Sequence, residues 1–234
     1  MKTAILSDAH GNWPALRSVL AEIDRLACDR IISLGDVTGY YAQPAQCLDA
    51  LVQRDAIQLL GNHDGYLVAG TACDRSPTVA RLIAHQRREI NGARLERLRS
   101  FQPRFAEGGI SCVHGSWRDP LDEYLYRIAA TDLPDGHRYY FAGHTHVQHL
   151  AAFPTKTFCN PGAVGQPRDG DPRAAFAVLD EAGITLHRVA YDIEETARAM
   201  RAAGYDEPRL WENLFIGAQI GGRLDQITTV PATP

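Results

Sequence analysis

Short apolar runs, each ending in a polar loop, recur along the chain. The first three read Thr3-Ala-Ile-Leu-Ser-Asp8-Ala-His10, Ile31-Ile-Ser-Leu-Gly-Asp36 and Ile57-Gln-Leu-Leu-Gly-Asn62-His63-Asp64. Two more read Ile110-Ser-Cys-Val-His114-Gly and Tyr139-Tyr-Phe-Ala-Gly-His144-Thr-His146. Continuous apolar runs of this length fit buried strands. Between the first two, Leu16, Val19, Leu20, Ile23 and Leu26 repeat at helical spacing, which predicts a helix over 13–26 with one buried face. Strand, helix and strand make a βαβ unit. A second helix is predicted over 44–54 and a third strand over 56–60, so the early strands pair in parallel.

Further along, 78–100 reads as a helical segment broken near Asn91-Gly92. Its Arg81, Arg87, Arg88, Arg94, Arg97 and Arg99 face only Glu89 and Glu96, which reads either as a solvated basic face or as a phosphate-steering lid. Strands are predicted over 109–113, 138–142 and 156–159. A hairpin of 174–179 and 185–190 turns at 180–183. A helix over 193–203 starts after Asp192 as N-cap and stops at Gly204. One more helix is predicted from Glu207, with Trp211 and Phe215 as exposed apolar positions for a partner surface, and a disordered tail over 222–234. No internal repeat or linker breaks the chain, so 1–234 is expected to form a single domain. The oligomeric state is left open.

Composition narrows the function. The chain has 234 residues, 45% hydrophobic and 22% charged, as in a soluble globular protein. A net charge of −4 argues against a dedicated nucleic-acid binder, though not against small anionic substrates at a metal site. Cys28, Cys47, Cys73, Cys112 and Cys159 are scattered and contain no C-x-x-C pair, which points to reduced thiols and a cytoplasmic protein. Ala4-Ile5-Leu6 is too short for a signal peptide, and no stretch approaches a membrane span.

The polar tails carry the chemistry. Asp8-x-His10, Asp36, Asn62-His63, His114 and His144-x-His146 mix carboxylate and imidazole, a set that suits Mn, Fe, Zn, Co or Ni better than Ca or Mg. Seven ligands exceed one tetrahedral zinc and suit two metals sharing a carboxylate. Such ligands collect outside the carboxyl ends of strands in an open α/β sheet. Gly35, Gly61 and Gly143 each precede a ligand, where tight turns or close approach are made without a Cβ.

The ordered set Asp8-x-His10, Gly35-Asp36, Gly61-Asn62-His63-Asp64, His114-Gly115 and Gly143-His144-x-His146 resembles the calcineurin-like metallophosphoesterases. The resemblance implies a four-layer α/β/β/α sandwich, with two mixed sheets flanked by helices. It also implies a metal-dependent phosphoesterase with two divalent transition-metal ions, manganese first and Fe, Zn, Ni or Co as alternatives. Asp8, His10 and His146 would hold the first ion, Asn62, His114 and His144 the second, and Asp36 would bridge them. A hydroxide between the metals would attack phosphorus, and His63 would protonate the leaving group as general acid. Asp64 would orient His63 or serve only the structure.

Two loops point within the family. Gly35-Asp36-Val-Thr-Gly39-Tyr40-Tyr-Ala-Gln-Pro44 resembles the Gly-Asp-x-x-Gly-Tyr-Gly-Pro-x-Pro loop of small bacterial and archaeal phosphoesterases, from which Tyr41 and Ala42 depart. Asn160-Pro-Gly-Ala-Val-Gly-Gln-Pro-Arg168 also resembles that branch. The branch implies a phosphodiesterase or phosphatase acting on small nucleotide-type substrates, with no membrane or dedicated nucleic-acid partner. Arg168 and Tyr40 are candidate substrate contacts. Asn12 is either an N-cap ahead of Trp13-Pro14 or a further substrate contact. His85, His137, His149 and His187 match no motif, with His149 the nearest to one. The contrasting functions are a phosphoprotein phosphatase, whose Arg-containing loop is missing, and a non-catalytic protein-binding scaffold, which typically loses ligands that this chain keeps.

Overall fold

The computed structural model describes residues 1–71, 73 and 76–231. The chain begins β1 (Thr3–Leu6), α1 (Trp13–Arg25), β2 (Arg30–Ser33), α2 (Pro44–Gln53), β3 (Ile57–Gln58) and α3 (Asn62–Ala69). It continues through α4 (Pro77–Gln86), α5 (Gly92–Arg99), β4 (Arg104–Glu107), β5 (Ile110–Val113), β6 (Arg127–Ile128) and β7 (Tyr139–Ala142). The last elements are β8 (Gln148–Ala152), β9 (Thr157–Pro161), β10 (Ala174–Asp180), β11 (Gly183–Val189), α6 (Ile193–Ala202) and β12 (Thr228–Thr229).

Two five-stranded mixed sheets, β11-β10-β1-β2-β3 and β4-β5-β7-β9-β8, pack on each other and are flanked by helices. Each has three parallel strands at its heart, β1-β2-β3 and β5-β7-β9, with antiparallel neighbours toward the edges. The alternation within β1 shows why its run is apolar throughout. Ala4 and Leu6 pack against Leu16, Leu20 and Ile23 of α1, while Ile5 meets Cys112, Phe141 and Cys159 from the second sheet. A strand covered on both faces has no polar face to show, and each fully buried Ile or Leu contributes roughly 1.5–3 kcal/mol. Over the second sheet's outer face the cover is thin: Leu125, Ile128, Leu133 and Ile227 close over Tyr140 and Phe158.

The predicted break in 78–100 falls between α4 and α5. The predicted third strand is shorter than its apolar run, because Leu60 N–H donates to Gln102 O (2.9 Å) and leaves the ladder. The predicted C-terminal helix is replaced by two short 3₁₀ turns, Pro208–Leu210 and Glu212–Ile216, the second ending at Gly217 with φ of 60°. Trp211 is not exposed as expected. It is 3% accessible and packs with Tyr41, Leu82, Met200 and Leu214, while Phe215 at 45% does face outward. Nor is the tail disordered from 222: Thr228–Thr229 pairs in parallel with β6, and Ile227 is buried. Residues 232–234 of that expected tail lie outside the described residues.

Candidate metal centre

All five ligand-bearing loops leave the carboxyl ends of parallel strands or their continuations and meet at one place. The backbone is bent hard to do this. Asp8, His10, Asp36, His144 and His146 have φ of 57°, 50°, 54°, 65° and 60°, in the left-handed region. Each such residue costs roughly 1–3 kcal/mol and persists only where its surroundings fix it. Here the loops after β1 and β2 hold one another: Asp8 N–H donates to Gly35 O (3.0 Å), and His10 N–H to Asp36 O (2.9 Å). Glycine is needed where loops touch. A Cβ on Gly61 would lie 2.0 Å from Asp36 Oδ1, and one on Gly143 would lie 2.0 Å from Ser7 Oγ.

The ligand atoms converge. His146 Nε2 lies 3.2 Å from Asp8 Oδ1. Asp36 Oδ2 lies 3.7 Å from His10 Nε2 and 3.4 Å from His114 Nε2, between the two sides of the cluster. Asn62 Oδ1 and His144 Nδ1 stand 3.2 and 3.1 Å from His114 Nε2. The groups Asp8-His10-His146 and Asp36-His114-His144 are each compact enough to hold an ion, and so is His10-Asp36-His63.

The donor chemistry fits divalent cations. His10 Nδ1, His114 Nδ1 and His146 Nδ1 face the carbonyls of Thr38 (2.9 Å), Leu34 (3.1 Å) and Gln166 (2.7 Å), and His144 Nε2 faces that of Asp122 (3.3 Å). A carbonyl accepts only from N–H, so in each neutral ring the lone pair of the other nitrogen points into the centre. There those nitrogens oppose one another, His10 Nε2 standing 3.1 Å from His146 Nε2. Asp8 Oδ1 and Asp36 Oδ2, both buried, meet no hydrogen-bond donor among the described residues. Lone pairs crowded together without donors are what a cation resolves. Burial keeps His10, His144 and His146 below the ordinary imidazole pKa, in the ligating form. At His114 burial acts the same way, but Asp36 outweighs it and lifts the ring to about 9, so an arriving cation displaces a proton there.

His63 differs from the four histidines above. Its Nδ1 is buried and meets no partner among the described residues, so no carbonyl fixes its ring as a ligand. Its backbone N–H donates to Asp36 Oδ1 (2.9 Å), and its side chain lines the adjoining cleft. Asp64 does not orient it. Its carboxylate accepts from Thr38 N–H (3.0 Å), Thr38 Oγ1 (2.8 Å), Val37 N–H (3.3 Å) and Gly61 N–H (3.3 Å), tying the Asp36 loop to the start of α3. Burial, with Asp36 adding to it, raises Asp64 to about 7.

Asn12 is the N-cap of α1. Its Oδ1 accepts from Ala15 N–H (3.4 Å) and Thr196 Oγ1 (2.8 Å), and its Nδ2 donates to Gly165 O (2.8 Å), so a fully buried side chain is spent on structure. Arg168 and Tyr40 do reach the cleft. Arg168 Nε donates to Gln166 Oε1 (3.1 Å) and its Nη2 to Tyr40 Oη (3.2 Å), while the Tyr40 ring meets those of His10 (4.6 Å) and His63 (4.9 Å) edgewise or tilted. Tyr41, which departs from the branch pattern, is buried and accepts from Gln166 Nε2 (3.0 Å). His149 serves the fold through Thr229 Oγ1 (2.8 Å).

The basic segment meets the site through a neutral side chain. Gln86 accepts from Gly39 N–H (2.8 Å) and donates to Tyr41 O (2.6 Å), pinning the loop that carries Tyr40. Three of its arginines turn elsewhere: Arg94 pairs with Asp49, Arg81 with Glu207 and Arg99 with Glu96. The cleft, of about 460 Å³, is lined by His63, Tyr40 and Arg168 and also by Tyr124, Tyr126 and Arg223. Those last three were missed in the sequence. The i, i+2 spacing of Tyr124 and Tyr126 around buried Leu125 marks a shared face, but nothing in it points to His144.

The family model of the calcineurin-like phosphoesterase superfamily domain matches residues 1–183. A metallophosphoesterase from Sphaerobacter thermophilus is 32% identical, with a TM-score of 0.80 over 93% of this chain and 99% of that one. A hypothetical protein from Pyrococcus horikoshii superposes with a TM-score of 0.80 at 19% identity, over 93% of this chain and 99% of its own. An uncharacterized protein of Methanocaldococcus jannaschii is 29% identical over 238 residues, covering 92% of this chain and 97% of that protein. The chain therefore belongs to the calcineurin-like phosphoesterase superfamily and is a metal-dependent phosphoesterase.

Proposed function

We propose that the protein hydrolyses phosphate esters of small nucleotide-type substrates, as a phosphodiesterase or phosphatase, using two divalent cations of which manganese is the first choice. Asp8, His10 and His146 would hold one, Asn62, His114 and His144 the other, with Asp36 between them. The observation that carries this reading is the pair of buried carboxylate oxygens without donors, Asp8 Oδ1 and Asp36 Oδ2, set among inward-facing imidazole nitrogens. When bound, the cations supply Lewis acidity, polarising phosphoryl oxygens and acidifying a water.

The chain's own residues do the rest. His63, in the cleft and free of a fixing carbonyl, gives a proton to the leaving oxygen. Arg168, anchored by Gln166 and Tyr40, neutralises a non-bridging phosphoryl oxygen. Tyr40 closes one wall and keeps water from the reacting phosphorus. A cleft of about 460 Å³ is of the size that takes a nucleotide and is too small for extended nucleic acid.

Free cysteines throughout support a reducing compartment, with the cytoplasm as its place. Among the described residues no helix is long and apolar enough to cross a membrane.

The test is metal analysis of the gently purified protein, with turnover of aryl phosphate, aryl phosphodiester, cyclic nucleotide and dinucleoside tetraphosphate under Mn, Ni, Co, Zn and Mg. Close to two ions per chain and turnover of at least one nucleotide are expected. A protein that neither carries metal nor regains it on reconstitution overturns the proposal.

A further inference from the structure

The cleft's outer wall joins Tyr124 and Tyr126 to residues beyond the span matched by the family model, and it holds aromatic and cationic groups that the chemistry above does not use. The Tyr124 ring lies on the imidazole of His144 at 3.8 Å between centroids. Tyr126 follows with its ring parallel to that of Tyr124 within 3°, at 5.4 Å. The rings stack in turn on His144, so Tyr124 lies between His144 and Tyr126 and the outward ring of the pile is that of Tyr126. Gln219, Ile220 and Arg223 line the same cleft. Asp225, 7% accessible, gathers this wall: it accepts from Tyr126 Oη (3.2 Å) and from Gln219 Nε2, pairs with Arg223 Nε (3.1 Å), and its N–H donates to Arg168 O (2.8 Å). Among the described residues the other guanidinium nitrogens of Arg223 have no ion-pair partner, and its side chain, 68% accessible, lines the same cleft.

From this arrangement we infer that Tyr126, backed by Tyr124, and Arg223 form a leaving-group subsite that selects a nucleotide, its base stacking on the outward face of Tyr126 and its phosphate meeting Arg223. The inference rests on the proposed hydrolysis, in which His63 opens into this cleft and the leaving oxygen therefore faces it. Flat π faces accept any base, and a guanidinium with free N–H groups suits a phosphate. In the step itself the P–O bond to the leaving nucleotide breaks, water supplies hydroxyl to phosphorus, and the proton it releases replaces the one that His63 gives to the leaving oxygen. Asp225 acts as a positioning residue, since it touches the tyrosine and the arginine and not the reacting atoms.

Calorimetric titration of the metal-loaded protein with AMP, the product such a subsite would hold, tests this without turnover. Tyr126→Ala and Arg223→Ala should each weaken AMP binding about tenfold, the scale of one stacking or charged contact. Tyr126→Phe and Arg223→Lys should recover most of it, which a general folding defect would not allow. In turnover, the ratio of kcat/KM for ADP to that for glycerol 2-phosphate should fall about tenfold in each alanine variant, because only ADP leaves a ring and an anion behind. Failure of wild-type protein to bind AMP, or equal AMP affinity in wild type and both alanine variants, overturns the subsite. Loss of all phosphate-ester turnover in wild type, with AMP binding and its variant dependence intact, overturns the hydrolase reading instead and leaves the subsite standing.

Discussion

Around the centre the chain bends its backbone to place side chains: Asp8, His10, Asp36, His144 and His146 all hold positive φ, and their loops interlock through main-chain hydrogen bonds. In the neighbouring cleft Tyr124, Tyr126, Gln166 and Arg168 sit on ordinary backbone, and side chains position one another through Asp225, Gln166 and the stacked rings. The difference assigns two kinds of tolerance. A ligand held by strained backbone between packed loops has one geometry available. A wall side chain that reaches the solvent, such as Arg223, can change without unseating the centre. The proposed chemistry thus belongs to the strained part, and the proposed selectivity to the adaptable part.

Substitutions can break that division or sharpen it. Asp36→Asn removes the carboxylate shared by both sides of the centre, so metal content and turnover should both collapse, turnover by about a thousandfold or more. Full metal binding in that variant would undo the bridging assignment. Next, His63→Ala should keep the metals by elemental analysis yet lose about 10²–10⁴ in kcat; an unchanged rate removes His63 from the proton transfer. Smaller again, Arg168→Ala should raise KM about tenfold, as for the loss of one charged hydrogen bond to phosphate, and steady-state kinetics showing no rise would return Arg168 to a purely structural part. Asn12→Ala should lower stability by about 1–2 kcal/mol in denaturant titration and leave KM where it was, whereas a shifted KM would restore Asn12 as a substrate contact. The smallest effect belongs to Arg94→Ala. Its exposed pair with Asp49 contributes no more than about 1 kcal/mol, and a rise in KM there would revive the phosphate-steering lid.

Legibility in the sequence followed the same line. The parallel strands, the hairpin of β10 and β11, the break at Asn91-Gly92 and the cap at Asp192 were readable because periodicity and capping act within a few residues, whereas β4, β6, β8 and β12 were not. The places of the ligand residues were readable because strand-then-ligand spacing is local too. Pairing across the fold was not. Asp64 stands beside His63 in the chain, yet its carboxylate turns to Thr38, where three of its hydrogen-bond donors converge with Gly61. Arginines crowded over 78–100 suggested a lid, but the residue of that segment that reaches the site loop is Gln86, since buried carbonyl and N–H groups at Tyr41 and Gly39 demand a neutral partner with both a donor and an acceptor. Trp211 looked exposed because a short 3₁₀ turn has no helical period by which to tell its faces apart.

By itself, then, the sequence determined most of the elements, the candidate ligand positions and the family, each written in contacts of short range. Only the tertiary structure decided that Tyr124 lies on His144, that Asp225 ties the chain's last described turns to Arg168, and that Asn12 is consumed by Thr196 and Gly165. Those partners stand from 20 to 184 residues apart in the chain. No local pattern carries such pairs; they form because packing two sheets and their loops leaves each buried polar group one partner within reach.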